Sequence, residues 1–461
     1  MTPIDTKIAP YIAPGRRVHL AGIGGVSMSP LAEVLHGMGL QVQGSDQSDS
    51  AAVERLRQLG IAVHVGHQAS DIDGAEFVVR TAAIHDDNPE IAAARTLGIP
   101  VFERAEAWGA IMRQYENALC IAGTHGKTTT TSMATHIFMA AQADPTVMIG
   151  GTLPMLHSGY RVGGGQTIIL ESCEYCNSFL SFFPTVAVIL NIEEDHLDFF
   201  KDLEDIKTSF RRFAQLALPE GRVVANGDDV NTMDALAGLP LFTFGFGAEA
   251  DCRAENLTWR QGRGDFDIMV DGALYTHLSL EVAGRHNVYN ALAAAAAAYA
   301  LGVPGEAVRR GLEAFSGAGR RFEYKGEVNG ARIYDDYAHH PGELHALLEM
   351  AHTLGCRRVI CAFQPHTYTR TRALFDDFVR ELKAADVLVL TEIYAAREKN
   401  TIGISSRDLA AQIPGSLYCS TLEEAAERLR ELAGPEDLIL TVGAGDIYTV
   451  GEALAAVPAP C

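Results

Sequence analysis

The stretch Ala122-Gly123-Thr124-His125-Gly126-Lys127-Thr128-Thr129-Thr130-Thr131 decides how this chain is read. The run before it, Ala118-Leu119-Cys120-Ile121, is apolar and has strand character. The run after it, from Ser132 to Ala141, reads as a helix. Strand, glycine turn and helix are the setting of a phosphate-binding loop, because backbone N–H groups at the turn and at the helix start favour anions. In such a loop Lys127 reaches terminal phosphates and the Thr128 hydroxyl sits on Mg²⁺. The commoner form of the loop would need a glycine at Ile121. Here the spacing is the shorter Gly123-x-x-Gly126-Lys127-Thr128. The competing reading is an ordinary strand–helix turn with a surface lysine.

Working outward, the 461 residues suggest roughly three domains. A formal net charge of -21 argues against a general nucleic-acid or membrane-surface binder. Anionic ligands are therefore left to local loops. The eight cysteines are scattered, which predicts reduced thiols and a cytoplasmic protein. The segment from Met1 to Lys7 lacks a basic-then-apolar leader pattern. The alanine-rich run from Ala291 to Leu301 is too short to span a bilayer, so no membrane insertion is expected.

Upstream, Arg16 to Ala21 reads as a strand entering Gly22-Ile23-Gly24-Gly25-Val26-Ser27, followed by a helix to Met38 and a second strand ending at Asp46. This is a βαβ unit with a near-match to the dinucleotide fingerprint, and Asp46 stands where a ribose-binding acid would. Ser27 replaces the third glycine. An NAD(P) site, a site for another diphosphate-bearing nucleotide, and a ligand-free unit all fit this segment. Further βα alternation up to Phe102 implies a parallel sheet with helices on both faces. His67 reads as structural.

Downstream, the strand Thr167 to Leu170 leads to Glu171 and Glu174, and the strand Val186 to Leu190 leads to Asp195 and His196. Carboxylates and a histidine just past strand ends suit a Mg²⁺–ATP site, with Glu171 and His196 as choices for the metal region. Cys173 and Cys176 have no second pair at zinc-site spacing and read as ordinary residues. A polar β-rich insertion is expected around residues 252–280. Asn287 and Asn290 lie one turn apart at the start of the alanine-rich helix, where they either cap it or read a base. A glycine-rich break at residues 315–322 makes a hinge carrying Arg320 and Arg321. Beyond it, polar clusters at strand ends (residues 335–341 and 364–372) look like a substrate site.

Together these motifs resemble the Mur ligase family, the ATP-dependent amide-forming enzymes of peptidoglycan precursor synthesis. The resemblance covers essentially the whole chain. It implies an α/β fold of three domains: a Rossmann-like UDP-sugar domain at 1–116, a central phosphate-loop-type ATPase domain at 117–317, and a Rossmann-like amino-acid domain at 318–461. It implies ATP and Mg²⁺ as cofactors, UDP-N-acetylmuramate and L-alanine as substrates, and a monomer or homodimer. It assigns Gly22, Ile23, Gly24, Gly25, Val26, Ser27, Asp46, Thr81 and His196 to the UDP-sugar. Gly123, Thr124, His125, Gly126, Lys127, Thr128, Thr129, Asn287, Asn290, Arg321 and Asp336 fall to ATP, and Thr128, Glu171 and His196 to the metal. Tyr337, His339 and Arg370 face the amino acid. Lys127, Glu171, His196, His339 and Arg370 are the catalytic set, with His196 or His339 assisting loss of the amine proton. Departures occur at Ser172-Cys173, at Arg80-Thr81, and at Thr367, where some relatives carry arginine. The alternatives are a ligase that adds a preformed tripeptide to the same sugar nucleotide and, from another class, an NAD-dependent oxidoreductase.

Overall fold

The computed structural model describes residues 7–81, 83–396 and 398–456. Among these residues the strands form three sheets. The N-terminal sheet is wholly parallel, in the order Ala62–Val65, Gln41–Asp46, Arg17–Ala21, Phe77–Arg80, Val101–Glu103. The order reverses beside the first strand, and the glycine loop 22–27 leaves that strand's carboxyl end. Open α/β sheets place ligands in that crevice.

The central sheet has ten strands. Strand Asn117–Ala122, which feeds the phosphate loop, lies in the middle between Val186–Ile189 and Thr167–Glu171. Its residues 118–122 are buried, as a near-continuous apolar strand in a two-sided parallel sheet must be. The polar segment expected as an insertion is instead part of this sheet. Strands Cys252–Arg260, Arg263–Val270 and Ala273–Ala283 extend it, the last two antiparallel. Their alternation of buried and exposed residues marks a half-solvated sheet edge. A hairpin on the other side, Thr146–Leu153 with Ser158–Arg161, carried too little apolar alternation to be read from sequence.

Helix Lys127–Ala140 begins at the loop lysine, before the expected start at Ser132. Helix Arg285–Ala300 packs beside it, and every alanine from Ala293 to Ala298 is fully buried. Small side chains let this helix lie close to the sheet on one side and to its neighbours on the others.

The C-terminal sheet runs Glu323–Val328, Ala331–Asp336, Leu438–Val442, Val359–Phe363, Val387–Thr391, Leu417–Cys419, antiparallel only at the first pair. Its parallel strands deliver residues 336–340 and 364–370 to one end.

The two interdomain seams differ in chemistry. Trp108, Ile111 and Met112 of the N-terminal part share one buried cluster with Phe179 and Phe182 of the central part. The seam between the central and C-terminal parts instead carries polar contacts: Asp195 to Arg370, His125 to Glu343, and the Glu194 carbonyl to His340. Among the described residues no helix is long and apolar enough to cross a membrane.

Candidate active site

The phosphate loop is fixed by backbone geometry. Gly126 has φ +82°, and a Cβ there would come 2.6 Å from Asn290 Oδ1, so only glycine fits. Asn191 clamps the loop from the neighbouring strand end. The His125 N–H donates to Asn191 Oδ1 (2.8 Å), and Asn191 Nδ2 donates back to the His125 carbonyl (3.2 Å). The Glu193 N–H donates to Thr124 Oγ1 (2.9 Å). The buried hydroxyls of Thr131, Ser132 and Thr135 each donate to the carbonyl four residues earlier, which satisfies them inside the packed helix.

Lys127 lies under the loop. Its Nζ is 3.0 and 3.2 Å from the two carboxylate oxygens of Glu174, and it also donates to the carbonyls of Gly123 (2.5 Å) and Thr124 (3.1 Å). Burial works against its charge, but Glu174, with Cys173 and Glu171, outweighs burial and raises the ammonium above its ordinary range. Glu171 ends its strand and accepts the Gly150 N–H (2.7 Å). His196 has a left-handed backbone, φ +53°, which is uncommon outside glycine and marks a constrained position. Its Nε2 lies 3.9 Å from Glu174 and 3.7 Å from Asp195, and its ring rests on Tyr175. The structure thus brings Lys127, Glu171 and His196 together, with Glu174 at the centre. Thr128 lines the adjoining cleft of about 1080 Å³, which Gly150 also lines. Thr128, Glu171 and Glu174 offer hard oxygen donors, the set Mg²⁺ prefers. The Cys173-x-x-Cys176 pair forms no disulfide, and burial pushes the Cys173 thiol up to about 12.

A second cleft of about 250 Å³ is lined by His125, Gly126, Thr129, Asn287, Arg321 and Asp336. Asn290 also borders it, but its amide is engaged: Thr130 donates to Oδ1 (3.1 Å), and Nδ2 donates to Asn287 Oδ1 (3.2 Å). Asn287 Nδ2 donates to the Ala283 carbonyl (2.7 Å). The pair therefore braces the phosphate-loop helix. Asp336 accepts the N–H groups of Phe322 and Ala338 (2.8 Å each), and burial pushes its carboxyl up to about 6. It ties the hinge to the strand end. Of the two hinge arginines, Arg320 is structural: it donates to Asp335 and to the carbonyls of Gly443 and Gly445. Arg321 faces the cleft.

Two of the residues expected at the amino acid line separate clefts. Arg370, with His196, Asp195 and His366, borders a third, of about 470 Å³, and Tyr337 borders the one of about 1080 Å³. Arg370 places Nε and Nη2 3.0 and 2.9 Å from Asp195 Oδ1. His339 Nδ1 lies 3.0 Å from the Tyr337 carbonyl, which fixes the proton there and leaves the lone pair on Nε2. Burial lowers its imidazolium to about 4, so it is neutral at physiological pH.

In the N-terminal crevice Gly22 takes φ +79° and packs against Thr81. Asp46 accepts the Gly24 N–H (2.9 Å) and the Ser48 N–H (3.1 Å), so its carboxylate holds the glycine loop. His67 is structural, 3.0 Å from Ser45 Oγ and 3.3 Å from buried Glu90. Sequence reasoning missed Arg104. Its guanidinium donates to Ser27 Oγ and lines a small cleft with Val26, Glu171 and Cys173. The two are 77 positions apart, and a single arginine opening a short helix carries no motif. Glu343 was missed as well, since at the third position of its helix it reads only as a cap; it receives the His339 N–H (2.9 Å) and faces His125.

This arrangement of three α/β units around a short phosphate loop has known counterparts. The chain matches the Mur ligase family, catalytic domain, over residues 17–116, the Mur ligase middle domain over 121–298, and the Mur ligase, glutamate ligase domain over 320–445. The chain belongs to the Mur ligase family. It is 46% identical over 444 residues to the UDP-N-acetylmuramate–L-alanine ligase of Caldanaerobacter subterraneus, covering 95% of this chain and 96% of that one. It is 47% identical over 445 residues to the enzyme of the same name from Agathobacter rectalis, covering 95% and 97%. The crystal structure of UDP-N-acetylmuramate–alanine ligase from Thermotoga maritima superposes with a TM-score of 0.78 at 28% identity, covering 95% and 98%.

Proposed function

We propose that this protein joins L-alanine to the lactyl carboxylate of UDP-N-acetylmuramate at the expense of ATP, releasing ADP and phosphate in peptidoglycan precursor synthesis. The observation that carries the reading is Lys127, held by Glu174 beneath a glycine loop at the meeting point of three α/β units. The near-half identity to alanine-adding relatives across the full chain supports it.

The chemistry follows from the residues. A lactyl carboxylate oxygen attacks the γ-phosphorus, the bond to ADP breaks, and an acyl phosphate forms. Loop N–H groups and Lys127 offset the charge spreading over the transferred phosphoryl group. Thr128, Glu171 and Glu174, with His196 beside them, would hold Mg²⁺, which when bound neutralises phosphate charge. The amine of alanine, once deprotonated, attacks the acyl carbon, and phosphate leaves with the C–O bond. The neutral Nε2 of His339, or His196, takes the amine proton. Arg104 and the 22–27 loop take the sugar diphosphate, and Arg370 orients the amino-acid carboxylate. Domain boundaries fall at 116/117 and 317/318, in the segments joining the sheets. An oxidoreductase built on the first domain would leave Lys127 and its glutamate without a role.

ADP release with UDP-N-acetylmuramate and either L-alanine or the murein tripeptide tests this. L-Alanine supports release; release with the tripeptide alone would assign the recycling reaction.

A further inference from the structure

Across the polar seam, three side chains converge that the ligation does not use in common: His125 of the phosphate loop, Glu193 of the loop after strand Val186–Ile189, and His340 at the cap of helix Pro341–His352. One donor atom from each lies within 4.8 Å of the others. His125 Nε2 is 3.4 Å from Glu193 Oε2, and His340 Nδ1 is 3.8 Å from the same oxygen.

The outer partners orient both rings. His125 stands between two carboxylates, Glu343 at Nδ1 (3.3 Å) and Glu193 at Nε2 (3.4 Å); burial works against its charge, but the two acids outweigh it and raise the imidazolium to about 10. A metal ion at Nε2 would take the place of the proton there; that nitrogen is buried and makes no hydrogen bond among the described residues. His340 Nε2 lies 2.9 Å from the Glu194 carbonyl, so its proton belongs there and Nδ1 carries the lone pair. That lone pair caps the helix, accepting the Gly342 N–H (3.2 Å) and, in a capping box, the Glu343 N–H. Glu193 is an anion against the first turn of the same helix: a Cβ at Gly342 would come 2.8 Å from its Oε2. Two imidazoles facing one carboxylate oxygen need a positive charge between them, which the His125 proton or a metal ion in its place supplies. Histidines whose far nitrogen donates to a carboxylate or a backbone carbonyl are the arrangement metal ligands adopt.

We propose that His125 Nε2, Glu193 Oε2 and His340 Nδ1 form a site for a divalent transition-metal ion of the zinc class, tying the phosphate loop to the C-terminal domain. The donor set selects the class. Two imidazoles and a carboxylate suit Zn²⁺ or Co²⁺, whereas Mg²⁺ takes oxygen ligands. Spacing fits with little movement, because donors about 2.1 Å from a tetrahedral ion stand roughly 3.4 Å apart. The residues differ from Thr128, Glu171, Glu174 and His196, so the two metals do not compete for ligands. The site lies on the wall of the cleft lined by Asn287 and Arg321.

Equilibrium dialysis of the full-length, chelator-stripped protein against Zn²⁺ in excess Mg²⁺, with Co²⁺ absorption as a second reading, tests this. The wild type is expected to bind one Zn²⁺ tightly and to give the visible band of four-coordinate Co²⁺. Glu193→Gln and His340→Gln should each weaken Zn²⁺ by at least about tenfold, while His196→Gln retains it. Melting curves identify any variant that does not fold, in which case the other variant and the wild-type Co²⁺ spectrum decide. Absence of Zn²⁺ uptake, showing that a proton on His125 is the bridging cation, overturns the proposal. So does uptake unchanged in both variants.

Discussion

Arg370 of the C-terminal domain and Asp195 of the central domain form a buried ion pair across the seam, with two guanidinium nitrogens within 3.0 Å of one carboxylate oxygen. Asp195 directly precedes His196, whose backbone is left-handed, so the pair links the position of the C-terminal domain to the cluster of His196, Glu174 and Lys127. Breaking a buried pair from one side leaves the other charge unmatched. Arg370→Ala and Asp195→Asn should each reduce kcat/KM for L-alanine by on the order of a hundredfold. The double variant should lose little more than either single one, with a coupling of about 2 kcal/mol. Additive losses would show that the pair does not act as a unit.

The contrast between the two seams predicts which domain moves. An apolar core shared by Trp108 and Phe179 resists separation, whereas the polar contacts at the other seam exchange for water at small cost. Scattering with and without ATP and the sugar nucleotide should show the C-terminal domain rotating about residues 315–322, with the first two domains fixed. Rotation of the N-terminal domain instead would contradict this.

Much of this was legible in the sequence, and the misses have physical causes. The glycine loops, the parallel strands and the strand-end clusters are local patterns, so Lys127, Glu171 and His196 stand out from the residues alone, whereas the role expected of Arg370 follows only from the family resemblance. Arg104 and Glu343 act through partners distant in sequence, and no local period reports such contacts. Asn290 and Asp46, expected at the adenine and at the sugar nucleotide, turn their hydrogen bonds inward to hold the loops. A polar edge hairpin and a polar insertion look alike in sequence, which is why the extension of the central sheet was read as separate.

His136 sets a pH dependence. It lies on the phosphate-loop helix with its ring edge-on to Phe315, and burial lowers its imidazolium to about 4. The folded value is below the unfolded one, so its contribution to stability is full above about pH 6.5 and is lost as pH falls through about 4. Between about pH 7 and about pH 5 this residue should remove about 2 kcal/mol. His136→Leu should flatten the change in urea midpoint over that window by this amount. An unaltered slope would refute the assignment.

Asp437 holds the far side of the C-terminal sheet. It is fully buried and accepts paired bonds from Arg357 (2.9 and 2.8 Å) and Arg358 (3.2 and 2.7 Å). Burial opposes its charge, but the two guanidinium groups hold the carboxyl well below the usual range. Its stabilisation is present above about pH 4 and is lost on acidification. Asp437→Asn should cost roughly 2 kcal/mol in urea unfolding at neutral pH. A loss below about 0.5 kcal/mol, within the range of an ordinary surface change, would show the network to be dispensable.

The proposed mechanism gives loss of the amine proton to His196 or His339. His196→Ala or His339→Ala should lower turnover at saturating substrates by about a hundredfold, the usual contribution of general base assistance. Wild-type turnover in both variants would remove histidine from the deprotonation step.

The central claim is that Lys127 activates a carboxylate for amide formation. Phosphate release from ATP, measured with UDP-N-acetylmuramate and L-alanine supplied separately and together, tests it most directly. The wild type should release phosphate continuously only when both are present, and Lys127→Ala should reduce the rate to background. Release that ignores L-alanine, or a Lys127→Ala rate equal to wild type, would contradict it.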